Sequence, residues 1–396
     1  MTLVGSAPAT TSDCTSSCTK RILIVAGEAS GDIYGADLVR QAQLLDPALH
    51  FFGIGGARMR EAGVVTLVDS AEMAVMGVVE VISHFGVISA AFKKLKRILQ
   101  DNPPDLLILI DYPGFNLRLA KVARKAGVKV LYYISPKVWA WKAGRVKTIA
   151  ASVDHIAVIF PFEVPLYEKA GVPVTFVGHP LLDLVDVNMT RDDAALSFGL
   201  NPARKIVGLF PGSRRSEIER MLPTIIESAR CVQRMYSDVQ FVLPLASTLR
   251  DSEVLPQFAA SGLEPIVTRQ RIHDLIRSCD AVISVSGTVT LEVALIGTPM
   301  VIIYKLAPLT YMLAKRLVKV AHIGLCNIVA GESVVKELIQ DEANPATISA
   351  EIDKILGNVP YTIEMKQKLA AVRSQLKCGG ASANVARLAI SLMDSP

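Results

Sequence analysis

Short runs of consecutive apolar residues recur along the first half of the chain, separated by longer segments of mixed character. Such runs are typical of parallel strands that are buried on both faces, and the mixed segments between them read as helices. The runs predict strands at Arg21–Ala26, Phe51–Ile54, Leu106–Ile110, Val128–Tyr133, His155–Ile159 and Val174–Val177. The mixed segments predict helices that include Asp37–Leu44, Phe115–Ala126 and Phe162–Ala170.

The alternation restarts after a polar stretch, NMTRDD, that begins at Asn188 and that we interpret as a linker. The second half predicts strands at Ile206–Phe210, Phe241–Leu245, Pro265–Val267, Ala281–Val285 and Met300–Tyr304. It predicts helices at Ser216–Met235, His273–Ser278 and Thr288–Leu295. Two such series indicate an α/β protein with two doubly wound, Rossmann-like domains facing each other across a cleft. We expect a disordered tail over 1–20, domains over 21–185 and 186–378, and a helix over 379–396 that packs back across the domains.

Composition narrows the classes of protein to consider. Hydrophobic residues make up 51% of the chain, yet no uninterrupted apolar run reaches the roughly 18 residues that a membrane-spanning helix needs. The net charge of +5 favours an anionic partner, but no basic run is interleaved with aromatic residues, which argues against nucleic acid. Six scattered cysteines and six histidines without an HxxH or HExxH pattern indicate reduced thiols and no catalytic metal. The first twenty residues lack the apolar core of a signal peptide.

The segment Lys205–Arg220 has the pattern of an anion-binding loop. An apolar strand turns directly into a charged helix through Gly212, Ser213 and Arg214. The first N–H groups of a helix have no partner within it, so an anion can bind there, and the arginine adds fixed positive charge.

A second strand, small-residue loop and helix follow at Ser286, Gly287 and Thr288. This helix start also favours a phosphate. Glu292, about one turn later, either accepts hydrogen bonds from ribose hydroxyls or complements the helix dipole.

The first strand ends in a loop of small residues that includes Gly27, Glu28, Ser30, Gly31 and Asp32. The loop matches neither GxGxxG nor GxxxxGK[ST], so it is neither a dinucleotide fingerprint nor a P-loop. Its small residues let a ligand approach the backbone closely, whereas Ser30 or Asp32 could instead cap the helix that follows.

Asp111 stands at the carboxyl end of a fully apolar strand, in the sequence DYPGFN. A carboxylate beside apolar neighbours can have a raised pKa and act as a general base. The alternative is a turn or N-cap aspartate before Pro113.

Both tryptophans, Trp139 and Trp141, lie in a basic segment that continues to Arg145. Their i, i+2 spacing does not place them on one helical face, so a simple core stripe is disfavoured. The segment reads either as a loop that stacks on a ligand and binds an anion or as a solvated basic helix start.

Apolar residues dominate the stretch Val75–Leu99 up to Phe92, and a basic cluster follows. An apolar helix that ends in a basic cluster suits the surface of an anionic membrane, and the alternative is a buried helix with a solvated end. The basic residues are Lys93, Lys94, Lys96 and Arg97.

Seven stretches together resemble the lipid-A-disaccharide synthase family. They are VAGEASGD from Val25, MAVMGVVEV from Met73, ISPKVWAWKAGRV from Ile134, FVGHPLLD from Phe176, LFPGSRRSEI from Leu209, SGTVTLE from Ser286 and LAKRLVK from Leu313. The resemblance runs from about Arg21 to the C-terminus, and several of the motifs are long and stand in the family's order.

The resemblance implies a GT-B glycosyltransferase that inverts configuration. The donor would be UDP-2,3-diacylglucosamine, the acceptor 2,3-diacylglucosamine 1-phosphate, and the products a β-1,6-linked disaccharide 1-phosphate and UDP. No cofactor is implied. The enzyme would be cytoplasmic, peripheral on the anionic inner-membrane surface of a Gram-negative bacterium, with a homodimer as one oligomeric state to test.

The resemblance also assigns roles to residues. Asp111 would be the catalytic base, Arg214 and the N–H groups from Gly212 onward would stabilise the departing diphosphate, and Glu292 would hold the ribose. Asn327, in CNIVAGE, would be a further donor contact. The acceptor side would include Gly27, Glu28, Ser30, Gly31, Asp32, Met76, Trp139, Trp141 and Arg145.

The chain departs from the family at Gly114, where members often carry Asp or a related polar residue, and this leaves Asp111 as the only base in its loop. Two other readings compete. One is another UDP-sugar enzyme on the same fold, such as a UDP-N-acetylglucosamine 2-epimerase or an undecaprenyl-linked transferase. The other is a non-catalytic nucleotide-sugar or lipid-binding protein, which would keep Arg214 and Glu292 but would not need Asp111.

Overall fold

The computed structural model describes residues 19–73, 78–139, 144–185, 189–246, 248–307, 311–312, 321–377 and 379–395, and over 78–85 it describes the backbone alone. Most of the predicted tail therefore lies outside the described residues. Within them, no helix is long and apolar enough to cross a membrane.

The first sheet has seven strands in the order β3-β2-β1-β4-β5-β6-β7. Their bounds are β1 Arg21–Ala26, β2 His50–Gly55, β3 Val65–Asp69, β4 Leu106–Ile110, β5 Lys129–Tyr133, β6 His155–Val158 and β7 Val174–Phe176. The chain first moves outward from β1 to β3 and then returns to β4, which pairs in parallel with β1. The order of strands therefore reverses between β1 and β4, and ligands of such sheets bind beside the loops that follow the two strands at this point.

The second sheet has six strands in the order β10-β9-β8-β11-β12-β13. Their bounds are β8 Ile206–Phe210, β9 Gln240–Pro244, β10 Ile266–Thr268, β11 Ala281–Val285, β12 Met300–Tyr304 and β13 Lys336–Ile339. Here the order reverses between β8 and β11, which also pair in parallel. The loops after β8 and β11 are the two predicted anion loops.

Helices separate the strands in both halves. In the first half they are α1 Ala29–Leu45, α2 Ala57–Glu61, α3 Ser70–Met73, α4 Val78–Asp101, α5 Pro113–Lys125, α6 Arg145–Ala150, α7 Val164–Glu168 and α8 Leu181–Leu184. After the predicted linker they are α9 Arg191–Ser197, α10 Arg215–Met235, α11 Asp251–Ser261, α12 Ile272–Ser278, α13 Thr288–Ile296, α14 Leu325–Ala330, α15 Pro345–Gly357, α16 Val359–Leu376 and α17 Ala381–Asp394. Short 3₁₀ helices lie at Pro161–Glu163 and Gln340–Glu342. The predicted α/β class with two Rossmann-like domains is confirmed.

The central strands are apolar because both of their faces are covered. Every residue of β4, β8 and β11 is buried. The prediction missed β3 and β13, whose residues are mostly half-buried and include charged ones. A strand at the edge of a sheet does not need a continuous apolar run, so this signal is absent there.

Helix α1 begins eight residues before the predicted start, and packing explains the difference. Two glycines weaken the local preference for a helix, but each allows a close contact. A Cβ on Gly31 would lie 3.3 Å from the Cβ of Ala26, and one on Gly35 would lie 2.8 Å from Sδ of Met59. Tertiary contact therefore sets the helix start.

Contacts divide the chain into two compact units, one up to Tyr133 together with the residues from Val385, and one from Ile134 to Asn384. In the first unit, Lys129 Nζ donates to the carbonyl of Leu392, 3.1 Å away. The two sheets fall on either side of the predicted linker, whereas this division falls after β5. The predicted bounds at 185 and 378 and the packing of the last helix across the domains stay predictions.

Candidate active site

The turn after β4 presents Asp111 in an unusual backbone conformation. Asp111 and Tyr112 have φ angles of 43° and 44°, the left-handed region that non-glycine residues seldom adopt. The residue that precedes α5 in the N-cap position is Tyr112, and its side chain makes no capping hydrogen bond. Asp111 is therefore not the N-cap of this helix, but it does lie in the turn before Pro113 that the same alternative described.

Hydrogen bonds to its N–H and its carbonyl hold the backbone of Asp111. Its N–H donates to the carbonyl of Tyr133 over 3.1 Å. Its carbonyl accepts from Oη of Tyr132 at 2.6 Å and from Nδ2 of Asn116 at 2.8 Å. Asp111 is half-buried.

The loop after β1 lies next to this turn, because Ala26 pairs with Ile110 in the sheet. A Cβ on Gly27 would lie 2.5 Å from Cδ1 of Tyr112, so only glycine fits there. Burial raises the pKa of Tyr112, and the negative charge of Glu28 raises it further. The structure thus brings the predicted base and the predicted small-residue loop together.

Neither Ser30 nor Asp32, the two predicted caps in this loop, caps α1. Glu28 holds the N-cap position without a side-chain hydrogen bond, and Ser30 is exposed. The buried carboxylate of Asp32 instead accepts from the N–H groups of Gly56, Arg58 and Met59, at 2.6, 3.0 and 3.1 Å. Asp32 therefore caps α2, the helix after the glycine-rich end of β2, and its predicted acceptor contact stays a prediction.

Glu163 is a functional candidate that sequence reasoning missed. Its side chain is buried, and Oε1 accepts from Ser135 Oγ at 2.7 Å and from Trp139 Nε1 at 3.2 Å. The N–H of Phe160 donates to Oε2 at 3.3 Å. Burial raises the pKa of Glu163 to about 7, although these hydrogen bonds and the charge of Lys137 lower it. The available signal was an acid in an otherwise apolar stretch, FPFEVP.

Aromatic rings surround the Trp139 side of this cluster. The rings of Trp139 and Phe162 meet edge to face at 5.3 Å between centroids, and Phe160 stacks on Phe162 at 5.3 Å. The ring centroids of His179 and Phe160 lie 5.2 Å apart, and burial lowers the pKa of His179 to about 3. Trp139 is thus held in place, while Arg145 begins α6 and is half-buried. Trp141 and Met76 lie outside the described residues.

The loop after β8 already holds an internal carboxylate. Gly212 has φ 99°, and Glu217 accepts from the N–H groups of Ser213 and Arg214 at 3.2 and 3.3 Å. The guanidinium of Arg214 donates to the same carboxylate at 3.2 Å, but its side chain stays 58% exposed. Glu217 occupies the N–H groups of Ser213 and Arg214, so an anion at this part of the loop would meet the side chain of Arg214.

The loop after β11 is open by comparison. Ser286 is fixed by its N–H to the carbonyl of Ile303 at 3.1 Å and by its hydroxyl to the carbonyl of Ile323 at 3.2 Å. Gly287 and Thr288 are exposed. Within the part of the chain that the structure describes, the N–H of Thr288 donates to no protein group. The start of α13 therefore offers the N–H of Thr288 to an anion.

Glu292 pairs with a residue that the sequence did not single out. Its Oε2 lies 3.2 Å from Nε2 of His273 on α12. This hydrogen bond raises the pKa of His273, against the effect of burial. The pair adds a titratable group next to the predicted ribose contact.

Asn327 is fully buried, and its amide is used within the protein. Oδ1 accepts from the N–H groups of Val334 and Val335, at 2.9 and 3.0 Å. Nδ2 donates to the carbonyl of Val335 at 2.9 Å and to Glu337 at 2.8 Å. These bonds hold the segment before β13, and the donor contact predicted for Asn327 stays a prediction.

The described part of the chain contains no candidate metal site. Among the residues that the structure describes, no three His, Cys, Asp or Glu side chains cluster in a way that could hold a metal ion.

Comparison with known proteins identifies the family. The family model described as lipid-A-disaccharide synthetase matches residues 22–385. The chain belongs to the lipid-A-disaccharide synthase family. A relative named lipid-A-disaccharide synthase, from Trichlorobacter lovleyi, is 66% identical over 375 residues, which cover 95% of this chain and 98% of the relative. The chain is thus a glycosyltransferase of this family.

Solved structures support the fold at much lower identity. The UDP-GlcNAc 2-epimerase from Neisseria meningitidis, bound to UDP-GlcNAc, has a TM-score of 0.65 and 14% identity over 94% of this chain and all of the other. The calicheamicin glycosyltransferase CalG4 has a TM-score of 0.61 and 14% identity over 96% of this chain and all of the other. At this identity the likeness shows the shared GT-B fold, so it does not favour an epimerase.

Proposed function

We propose that this protein transfers 2,3-diacylglucosamine from its UDP derivative to 2,3-diacylglucosamine 1-phosphate. The products are the β-1,6-linked disaccharide 1-phosphate of lipid A biosynthesis and UDP. The observation that carries the assignment of the base is the turn after β4, where Asp111 stands beside the small-residue loop at the point where strand order reverses.

Asp111 is proposed to take the proton from the 6-hydroxyl of the acceptor. The hydroxyl oxygen attacks the anomeric carbon of the donor, the bond from that carbon to the diphosphate breaks, and configuration inverts. The acceptor side is proposed to include Gly27, Glu28, Ser30, Gly31, Asp32, Met76, Trp139, Trp141 and Arg145. Glu28 and Ser30 are the exposed members of the first loop, so they are its best candidates for direct contact.

Negative charge grows on the departing diphosphate. The open start of α13, with Ser286, Gly287 and Thr288, is proposed to bind it, because free N–H groups at a helix start stabilise an anion without reorganisation. Arg214 is proposed to add its guanidinium, beside Gly212 and Ser213, which shape the loop. Glu292 is proposed to accept from the ribose hydroxyls, and Asn327 to support the donor side.

The basic end of α4 is proposed to bind the anionic inner-membrane surface. Ala91, Leu95 and Leu99, spaced four apart, are buried on one face of the helix. The basic residues Lys93, Lys94, Lys96 and Arg97 are all exposed. A helix with this arrangement presents its charge to anionic lipids while its apolar stripe is used in the core.

Two experiments test the membrane and oligomer proposals. Replacing the four basic residues with glutamine should reduce flotation with vesicles that contain anionic lipid, and a variant without four exposed lysines elsewhere (Lys121, Lys336, Lys366 and Lys377) should float like the wild type. Equal flotation of both variants would retire the proposal. Sedimentation at several protein concentrations would decide whether the enzyme is the proposed homodimer or a monomer.

Substitution of Asp111 tests the assignment of the base. Asp111→Ala should abolish transfer and leave binding of the UDP-sugar nearly unchanged. Asp101→Ala, which removes an exposed carboxylate at the end of α4, serves as the matched control and should keep full activity. Transfer by Asp111→Ala at the wild-type rate would exclude Asp111 as the base.

A further inference from the structure

The turn that carries Asp111 is held from two sides by side chains that the mechanism does not otherwise use. Two consecutive non-glycine residues with positive φ persist only where the surroundings fix them. The surroundings here are Tyr132, on the neighbouring strand β5, and Asn116, in the first turn of α5. Both side chains are completely buried, at 0% exposure.

Both residues act on one atom, the carbonyl oxygen of Asp111. Tyr132 Oη donates to it at 2.6 Å and Asn116 Nδ2 at 2.8 Å. The same Nδ2 also donates to the carbonyl of Ile110 at 3.2 Å. Asp111 follows the last residue of β4, so its carbonyl leaves the ladder of the sheet and these two donors take the place of a ladder partner.

The side-chain amide of Asn116 makes these contacts through its nitrogen, and its oxygen is not used. Its Oδ1 is buried and has no hydrogen-bond partner among the described residues. A buried polar atom without a partner destabilises a protein, and such atoms are uncommon except where another role keeps them. The arrangement uses Asn116 as a donor to the turn.

A shift of this turn would move the carboxylate. The two hydrogen bonds fix the peptide after Asp111, and the direction of its Cα–Cβ bond follows from that peptide. A base must lie within hydrogen-bond reach of the proton it removes, and misplacement by about 1 Å can cost about a hundredfold in rate.

We propose that Tyr132 and Asn116 are positioning residues for the reaction, which hold the turn so that the Asp111 carboxylate points at the acceptor hydroxyl. The proposal rests on the proposed function in one respect, the role of Asp111 as the base. It adds two residues that touch neither substrate.

The primary test is Tyr132→Phe, which keeps the ring and removes only the donor. We expect kcat to fall about tenfold, with the KM for donor and acceptor within about twofold of the wild-type values, because binding does not depend on the direction of the carboxylate. Asn116→Ala should have an effect of similar size. The double variant should lose about a hundredfold or more in kcat, since each donor alone still holds the carbonyl.

Tyr133→Phe is the matched control. Tyr133 is the next residue of the same strand and equally buried, but successive side chains of a strand point to opposite faces of the sheet. Its hydroxyl therefore lies away from the Asp111 carbonyl. The backbone carbonyl of Tyr133, which accepts from the N–H of Asp111, is kept in the variant, so the variant should have the wild-type kcat. The active fraction of each protein is measured by stoichiometric binding of the UDP-sugar, so that kcat refers to folded enzyme only.

Comparison with Asp111→Ala separates the two possible failures. If Asp111→Ala is inactive while Tyr132→Phe and the double variant keep the wild-type kcat, the positioning proposal is wrong and the base assignment stands. If Asp111→Ala is active, the base assignment is wrong and the positioning proposal fails with it. The proposal would also be overturned if Tyr132→Phe and Tyr133→Phe lost kcat to the same extent. Removing any buried hydroxyl of the strand would then have this effect.

Discussion

Replacing Glu163 with glutamine should remove a pH dependence from the stability of the protein. The Glu163 carboxyl is 1% exposed, and burial raises its pKa from 4.5 to about 7 despite the hydrogen bonds that it accepts. At about 1.4 kcal/mol for each tenfold change in proton affinity, this difference corresponds to about 3 kcal/mol. Glutamine keeps the shape of the side chain and an acceptor for Ser135 but does not titrate.

The direction in which stability changes with pH follows from the raised pKa of Glu163. Between pH 4.5 and 7 the folded protein binds the Glu163 proton more tightly than the unfolded chain does. The free energy of unfolding therefore falls as the pH rises through this window, and the contribution levels off above the folded-state pKa. His179 acts in the opposite direction, because burial lowers its pKa from 6.5 to about 3, and its contribution is lost as the pH falls below 6.5.

Comparing the wild type with Glu163→Gln isolates the contribution of Glu163, since both proteins contain His179. Denaturant unfolding at pH 5, 6, 7 and 8 can be followed by tryptophan fluorescence, because the chain has two tryptophans and Trp139 donates to Glu163. We expect the stability of the wild type relative to Glu163→Gln to be about 2–3 kcal/mol greater at pH 5 than at pH 8. Glu168→Gln, an exposed acid on α7, is the control and should follow the wild type. Parallel curves for wild type and Glu163→Gln would refute the reasoning.

Four other substitutions test the remaining contacts. Asp32→Ala should lower the free energy of unfolding by roughly 2–4 kcal/mol, because three backbone N–H groups lose their acceptor, and an unchanged stability in denaturant unfolding would contradict this. Arg214→Gln should reduce kcat about a hundredfold if its guanidinium meets the diphosphate, and steady-state rates near the wild type would exclude that role. Glu217→Ala should cost about 1 kcal/mol of stability, since α10 loses its capping acceptor, whereas a stabilised variant would show that the carboxylate is not needed there. Glu292→Gln should lower the pKa of His273 toward 6.5, and an unshifted NMR titration of the histidine would argue against the pairing.

The central strands could be predicted from the sequence because burial on both faces requires a continuous apolar run. Strands β1, β4, β8, β11 and β12 match their predicted bounds. The positions of Asp111, Gly27 and the loop at Ser286 followed from the same rule, since loops at the carboxyl ends of parallel strands carry the ligand contacts.

The contacts that decide how these loops work could not be predicted from local patterns. Asp32 reaches N–H groups 24 to 27 positions away, and Tyr132 reaches a carbonyl 21 positions away. Such partners are set by which strands are neighbours, and the spacing of residue types does not encode this. The contact of Glu217 is local and could have been predicted, because a glutamate three residues after the N-cap is the pattern of a capping box. The anion reading of that helix start overlooked it.

The central claim is tested most directly by incubating the purified protein with UDP-2,3-diacylglucosamine and 2,3-diacylglucosamine 1-phosphate and measuring both products. We expect the wild type to form UDP and the β-1,6-linked disaccharide 1-phosphate in equal amounts, and Asp111→Ala to form neither. Release of UDP without disaccharide, epimerisation of the donor sugar, or transfer by Asp111→Ala at the wild-type rate would contradict the account.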